Sequence, residues 1–278
     1  MSLRRFSTIL AGPLACGACA LAFAGPAAAL PAPGDFADVP SRTSLSFVHT
    51  PTGLEVGTPN ENEPRPGLST VKLYMADYAL RYGDGSEEDR DLAARMIQAS
   101  DDSAASQLDA KYPQAIDSAA AEYGLASTSR GSFWGSSYTS TADTVRFLER
   151  KKLTDPSSPI LGWMNTANPI AADGTMQDWG TGVLADATGS KWGWSDYGSP
   201  VVASASIGDG FSVAANTYGS AAVQTDDVLG ALGDVDLTPP PAPVTFGALP
   251  PGALAPGELP ELPVLPTVEQ LLKMISPR

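Results

Sequence analysis

The chain has 278 residues, with 17 Lys and Arg against 31 Asp and Glu, for a net charge of −14. A surface this acidic repels phosphate backbones and anionic lipid, which argues against nucleic acid and membrane surfaces as partners. One histidine and two cysteines are too few ligands for a zinc centre, and no metal or other cofactor is expected.

Residues 1–29 read as a cleavable secretory signal peptide. Arg4 and Arg5 open it, residues 6–24 carry no charge, and two A-x-A sites follow, Ala22-Phe23-Ala24 and Ala27-Ala28-Ala29. Cleavage after Ala29 is favoured, because Leu30-Pro31-Ala32-Pro33 breaks helix there. Gly12, Pro13, Gly17, Gly25 and Pro26 interrupt the run, which argues against a membrane span of about 20 apolar residues. Cys16 and Cys19 lie inside the signal and neither follows a lipobox, so the mature chain is expected to hold no disulfide. The expected location is secreted or associated with the cell envelope.

Residues 30–43 form a proline-rich entry segment. Residues 44–50 read as a strand, and Pro51-Thr52-Gly53 as the turn after it. His49, the only histidine, sits on that strand far from any serine motif and reads as structural. After the break at Pro64, Pro66 and Gly67, a helix is predicted from Leu68 to about Arg81, ending at Gly83-Asp84-Gly85. The next begins at Ser86 and turns Leu92, Ala93, Met96 and Ile97 to one face. Residues 102–110 and 113–123 are helical, with Gly124 as the cap. Residues 140–152 make a further helix with Ala142, Val145, Phe147 and Leu148 inward, and 157–166 another. Residues 201–207 and 211–218 are strands joined through Gly208-Asp209-Gly210. This order predicts an α+β domain over 44–237, with helices inserted between the first and later strands of an antiparallel sheet. Residues 238–266 are a proline-rich linker, and 267–278 a short amphipathic helix with Val268, Leu271, Leu272 and Ile275 on one face. That face suits an envelope protein partner or the chain's own domain.

Three short motifs carry chemistry. Ser69-Thr70-Val71-Lys72 is an S-x-x-K at a helix start, where serine and lysine share one face and the lysine can take the serine proton if its pKa is lowered. Ser100-Asp101-Asp102 lies at a helix junction and by itself reads as an N-cap. Lys191-Trp192-Gly193 precedes the last hairpin and means nothing alone.

In this order the motifs resemble those of the penicillin-binding protein and serine β-lactamase superfamily, class A-like and of the exported actinobacterial type. Ser69 to Lys72 matches its S-x-x-K, Ser100-Asp101-Asp102-Ser103-Ala104-Ala105-Ser106 its SDN stretch, and Lys191-Trp192-Gly193 its K-T/S-G. Thr139-Ser140-Thr141-Ala142-Asp143 resembles the start of the helix after the family's Ω-loop. The resemblance covers roughly residues 40–235. It implies an antiparallel sheet flanked by helices, with a reduced helical subdomain because Ser69 and Ser100 are close in sequence. It also implies the catalytic set. Ser69 would be the acylated nucleophile, Lys72 its base, and Ser100 the relay to the leaving group. Lys191, with Trp192 and Gly193, would face a substrate carboxylate, and the N–H groups of Ser69 and Trp194 would form the oxyanion hole.

The chain departs from the pattern at three places. Asp102 replaces an Asn, so when ionised it accepts hydrogen bonds only and favours a charged Lys72. Trp192 replaces a hydroxyl residue, and its bulk is expected to narrow the carboxylate subsite. No Asp or Glu occurs between Tyr123 and Ala142, so the glutamate that activates the deacylating water is missing. Two functions stay open. One is a secreted serine hydrolase acting on a cell-wall peptide or small acyl compound, poor at β-lactam turnover. The other is a catalytically degenerate domain that binds an envelope component or partner.

Overall fold

Three of the long strands combine serine with apolar residues, and almost all their residues are buried because both faces of the sheet are covered. In the computed structural model, residues 30–32, 35–235 and 237 are described; the expected signal segment 1–29, the expected linker 238–266 and the expected helix 267–278 lie outside them. The strands are β1 (Thr43–His49), β2 (Leu54–Gly57), β5 (Gly189–Trp194), β6 (Val201–Ile207) and β7 (Phe211–Tyr218). They form one sheet in the order β2-β1-β7-β6-β5, with every pair antiparallel. A separate two-stranded ribbon pairs β3 (Arg65–Pro66) with β4 (Tyr138–Thr139).

Strand alternation divides the side chains between two layers. Val48, Ala205, Ile207 and Ala214 face a helical layer made of α1 (Lys72–Tyr82), α2 (Glu87–Gln98), α3 (Asp102–Lys111), α4 (Ala115–Tyr123), α5 (Thr141–Thr154) and α6 (Pro159–Asn165). Leu45, Phe47, Phe211 and Val213 face the other way, toward Val228 and Leu232 of α7 (Ala221–Leu232). Phe36 and Leu237 are also buried in this second cluster. The entry segment is therefore packed on the domain instead of leading up to it.

The helices begin where short polar side chains accept free N–H groups. Ser86 caps α2 through Asp89 N, Asp101 caps α3 through Ala104 N, Ser140 caps α5 through Asp143 N, and Ser220 caps α7 through Val223 N. Gly124 ends α4 at φ 67°, the left-handed conformation that glycine adopts without a Cβ clash. The expected helix at 68–81 has a different start: Leu68–Val71 is a 3₁₀ turn, and the α-helix proper begins at Lys72.

Two charged clusters tie elements together, one between α7 and the sheet and one within the helical layer. Asp227 of α7 accepts from Arg42 Nε (3.1 Å), Arg42 Nη2 (2.6 Å) and the Thr43 hydroxyl, tying α7 to the start of β1. Lys151 of α5 lies 2.8 Å from Asp77 of α1, both almost fully buried, and 2.8 Å from Asp155. Removing one member of a buried pair leaves a desolvated charge and costs about 3–5 kcal/mol. Asp77→Ala is therefore expected to destabilise the domain by about that much in chemical denaturation. A loss below about 1 kcal/mol would show that Asp155 alone satisfies Lys151.

Candidate active site

The S-x-x-K spans the 3₁₀ turn and the first residue of α1. Ser69 is the second residue of the turn, ahead of its first internal bond from Thr70 N to Gly67 O (3.1 Å), so its own N–H is one of the unpaired donors of a helix start. Lys72 follows one turn on and is fully buried. Its ammonium donates to Ser100 O (2.7 Å), more distantly to Ser100 Oγ (3.4 Å), and to Asp102 Oδ1 (2.5 Å). Three N–H groups thus meet three acceptors, none of them Ser69. The nitrogen also stands 4.5 Å from the centre of the Trp134 ring, a cation–π contact that favours the charged form.

Ser100 is placed by backbone strain. It has φ 52°, and Leu68, just before the nucleophile, has φ 51°; no other non-glycine residue among the described ones has positive φ. Each such residue costs about 1–3 kcal/mol and persists only where the surroundings enforce it. The bend turns the Ser100 carbonyl and hydroxyl toward Lys72 before Asp101 starts α3.

Lys191 arrives from β5. It is fully buried and donates to Ser100 Oγ (2.8 Å) and Trp192 O (2.8 Å). Ser100 Oγ accepts from both lysines, so its two lone pairs are taken and its proton must point elsewhere. Burial pushes Lys191 well below the ordinary lysine pKa; the positive charge of Lys72 pushes the same way, and Asp102 only partly offsets them. Burial also lowers Lys72, opposed by the charge and hydrogen bond of Asp102 and more weakly by Asp101 and Asp173. The Asp102 side chain is 59% exposed, so solvent screens much of its pull.

Gly193 lets the strand reach the nucleophile. A Cβ there would lie 2.6 Å from Ser69 N and 2.8 Å from Leu68 Cβ. β5 is an edge strand, and the bond from Ser195 N to Val201 O (3.0 Å) sets the alternation, so the Trp194 N–H points off the free edge. The unpaired N–H groups of Ser69 and Trp194 thus lie on the side where the two elements approach.

Ser69 opens into a groove of about 270 Å³, lined by Leu68, Ser69, Asp102, Phe133, Trp134, Gly135, Trp194, Ser195, Asp196 and Tyr197. Ser69, Asp102 and Trp194 were expected there. Lys72, Ser100, Lys191 and Gly193 stand immediately behind its floor. Phe133, Trp134, Asp196 and Tyr197 were not foreseen. The signal for the first two was adjacent aromatics in a Gly/Ser loop, Gly131-Ser132-Phe133-Trp134-Gly135. Trp134 is held by its indole N–H on Ser106 Oγ (3.2 Å) and by its backbone N–H on Asp109 (3.2 Å), which pairs with Arg130 (2.7 Å).

Trp192 corrects an expectation. Its side chain points to the opposite face of the sheet, packs with Trp179 and Val202, and donates its indole N–H to Trp179 O (2.8 Å). It does not narrow the groove; only its carbonyl enters the site, as the acceptor for Lys191. His49 is also remote: it bonds to Thr52 Oγ1 (2.8 Å) and does not line the groove. Among the described residues, no group of three or more His, Cys, Asp or Glu side chains is placed to hold a metal ion. A wider cleft of about 420 Å³ beside Arg81, Glu122 and Arg150 contains none of the motif residues.

Trp192→Thr is therefore expected to behave as a core deletion. It should cost about 3–5 kcal/mol in denaturant unfolding, as for other buried tryptophans, and leave the groove no wider. A stable variant with faster reaction toward carboxylate-bearing substrates would place the indole in the groove after all.

No protein-family model matches the sequence, and no curated protein is significantly similar to it. Solved structures are similar in fold. A β-lactamase from Streptomyces albus G is 18% identical, with a TM-score of 0.57 over 70% of this chain and 94% of that one. Penicillin-binding protein D2 from Listeria monocytogenes, in its cefotaxime-bound form, is 18% identical, with a TM-score of 0.51 over 69% and 95%. A β-lactamase from Burkholderia vietnamiensis is 19% identical, with a TM-score of 0.51 over 73% and 96%. With that sheet order, those flanking helices and these neighbours, the chain has the fold of the penicillin-binding protein and serine β-lactamase superfamily.

Proposed function

We propose that the groove is the acyl-transfer site of an exported serine hydrolase, which cleaves an ester or amide, cell-wall peptides included, and turns over β-lactams poorly. The observation that carries this is the cluster in which Lys72 and Lys191 both donate to Ser100 Oγ, one helical turn from the Ser69 that lines the groove, where Gly193 brings β5 against Ser69 N. Residues 1–29 are the export signal in this reading, and the tail beyond 237 is a spacer whose last helix meets an envelope protein.

The chemistry runs through these atoms. Ser69 Oγ bonds to the substrate carbonyl carbon, and its proton passes to neutral Lys72. The oxyanion is held by the N–H groups of Ser69 and Trp194. Collapse breaks the bond to the leaving group, which takes the Ser100 proton, and Lys72 returns its proton to Ser100. Water then attacks the acyl-enzyme, and acid and free Ser69 result. No carboxylate lies between Tyr123 and Ala142 to activate that water, so a β-lactam adduct should persist.

A second reading has one observation in its favour. Asp102 and the Trp134 ring both stabilise charged Lys72, and a charged lysine is no base. The domain would then bind without acylating. A fluorophosphonate or fluorescent penicillin gel with Ser69→Ala as control separates the two. The hydrolase reading expects covalent label on wild type and none on Ser69→Ala. It also expects the penicillin adduct to survive prolonged incubation. An unlabelled wild type supports the binding domain.

The pH profile tests the base. Labelling requires neutral Lys72, so its rate should rise with pH through the folded pKa of Lys72, which burial sets below the ordinary lysine value. Asp102 holds that pKa up, so Asp102→Asn should move the inflection to lower pH and speed labelling at neutral pH. An unmoved inflection would remove Lys72 as the base.

A further inference from the structure

We propose that, among esters and amides, the groove favours a substrate that carries an ammonium group over one that carries a carboxylate. The inference rests on the reading of the Ser69 groove as the substrate site. The cations that could receive a carboxylate are engaged elsewhere. Lys191 is fully buried, with two of its three N–H groups on Ser100 Oγ and Trp192 O. Lys72 spends its three on Ser100 and Asp102. Trp192 brings no hydroxyl, and its indole lies on the far face of the sheet. Among the described residues, no lysine or arginine lines the groove.

What does line it is acidic and aromatic. Asp196 stands on the wall and forms no ion pair among the described residues, and Asp102 remains more than half exposed despite its bond to Lys72. Asp173 adds a third carboxylate behind the wall, where it accepts the Trp194 indole N–H at 3.1 Å. Phe133 and Tyr197 are 52% and 91% exposed, large ring surfaces beside those charges. Carboxylates next to open aromatic faces attract an alkylammonium through charge and through the ring quadrupoles together. The same field repels a carboxylate. The uncharged part of such a substrate has Leu68 and Gly135 to pack on, next to Ser69.

Three thioesters with the same butyryl group test this: butyrylthiocholine, its uncharged tert-butyl isostere, and the mercaptopropionate thioester. Binding is read by quenching of tryptophan fluorescence on the full-length Ser69→Ala chain, where no turnover intervenes. Butyrylthiocholine should bind about tenfold more tightly than the isostere, with the anionic thioester weakest. High salt should narrow the gap, as should Asp196→Asn. Equal affinities overturn the proposal, as do a preference for the anion, an absence of binding by all three, or a preference unmoved by Asp196→Asn. Labelling of wild-type Ser69 by a neutral fluorophosphonate is a separate readout. Its failure removes the hydrolase and leaves the charge preference standing; the reverse result keeps the hydrolase and removes the preference.

Discussion

Two buried lysines meet on the hydroxyl of Ser100, and the rest of the site follows from how their charge is accommodated. Lys72 and Lys191 come from α1 and β5, and Ser100 lies 28 and 91 residues away from them in sequence. Both ammonium groups are out of solvent, and one carboxylate, Asp102, is in contact with one of them. A buried charge without a partner is expensive enough that the group gives up its proton instead. Lys72 has Asp102 and the Trp134 ring; Lys191 has only neutral acceptors, and it is the lysine whose pKa falls further. The two lysines are thus unequally matched with counter-charge.

That inequality gives the two lysines different chemistry. A lysine whose proton is loosened by burial draws in a carboxylate less strongly, and it can keep a neighbouring hydroxyl oriented and exchange a proton with it. A lysine held partly charged by Asp102 is a weaker base than burial alone would make it. Because Asp102 is largely exposed, its effect depends on what enters the groove. A ligand that covers it strengthens its field on Lys72 by removing the water that screens it. Occupancy and proton affinity are therefore coupled at this one carboxylate.

Much of this was legible in the sequence, for physical reasons that differ by element. The helices at 87–98, 102–111 and 141–154 announced themselves through polar caps and apolar faces. The hairpin β6–β7 showed itself through β-branched runs around Gly208-Asp209-Gly210. The motif residues Ser69, Lys72, Ser100, Asp102 and Lys191 were found by order, since none stands out alone. The strand β5 was not foreseen, because Gly-Ser-Lys-Trp-Gly-Trp has neither β-branched residues nor alternation. Helix α7 was passed over too, although Ser220 and the Val223-to-Leu232 pattern were there to read. The inward or outward direction of Trp192 could not be read without the register that pairs it with Ser204. A shift of one residue would have turned its indole to the other face.

The placement of β5 answers two demands at once. An edge strand carries unpaired N–H and C=O groups, which invite pairing with another chain. Here the 3₁₀ turn of Ser69 packs on the face of β5 beside that edge, so near Gly193 that a methyl group would not fit between them. The edge position leaves the Trp194 N–H unpaired on the groove side, beside the unpaired N–H of Ser69. A side chain at 193 would push the turn away, and with it Ser69 and Lys72. A central strand could not serve, because its N–H groups are consumed by neighbours on both sides. One packing contact at Gly193 thus sets the Ser69 turn beside the free N–H that the edge position supplies.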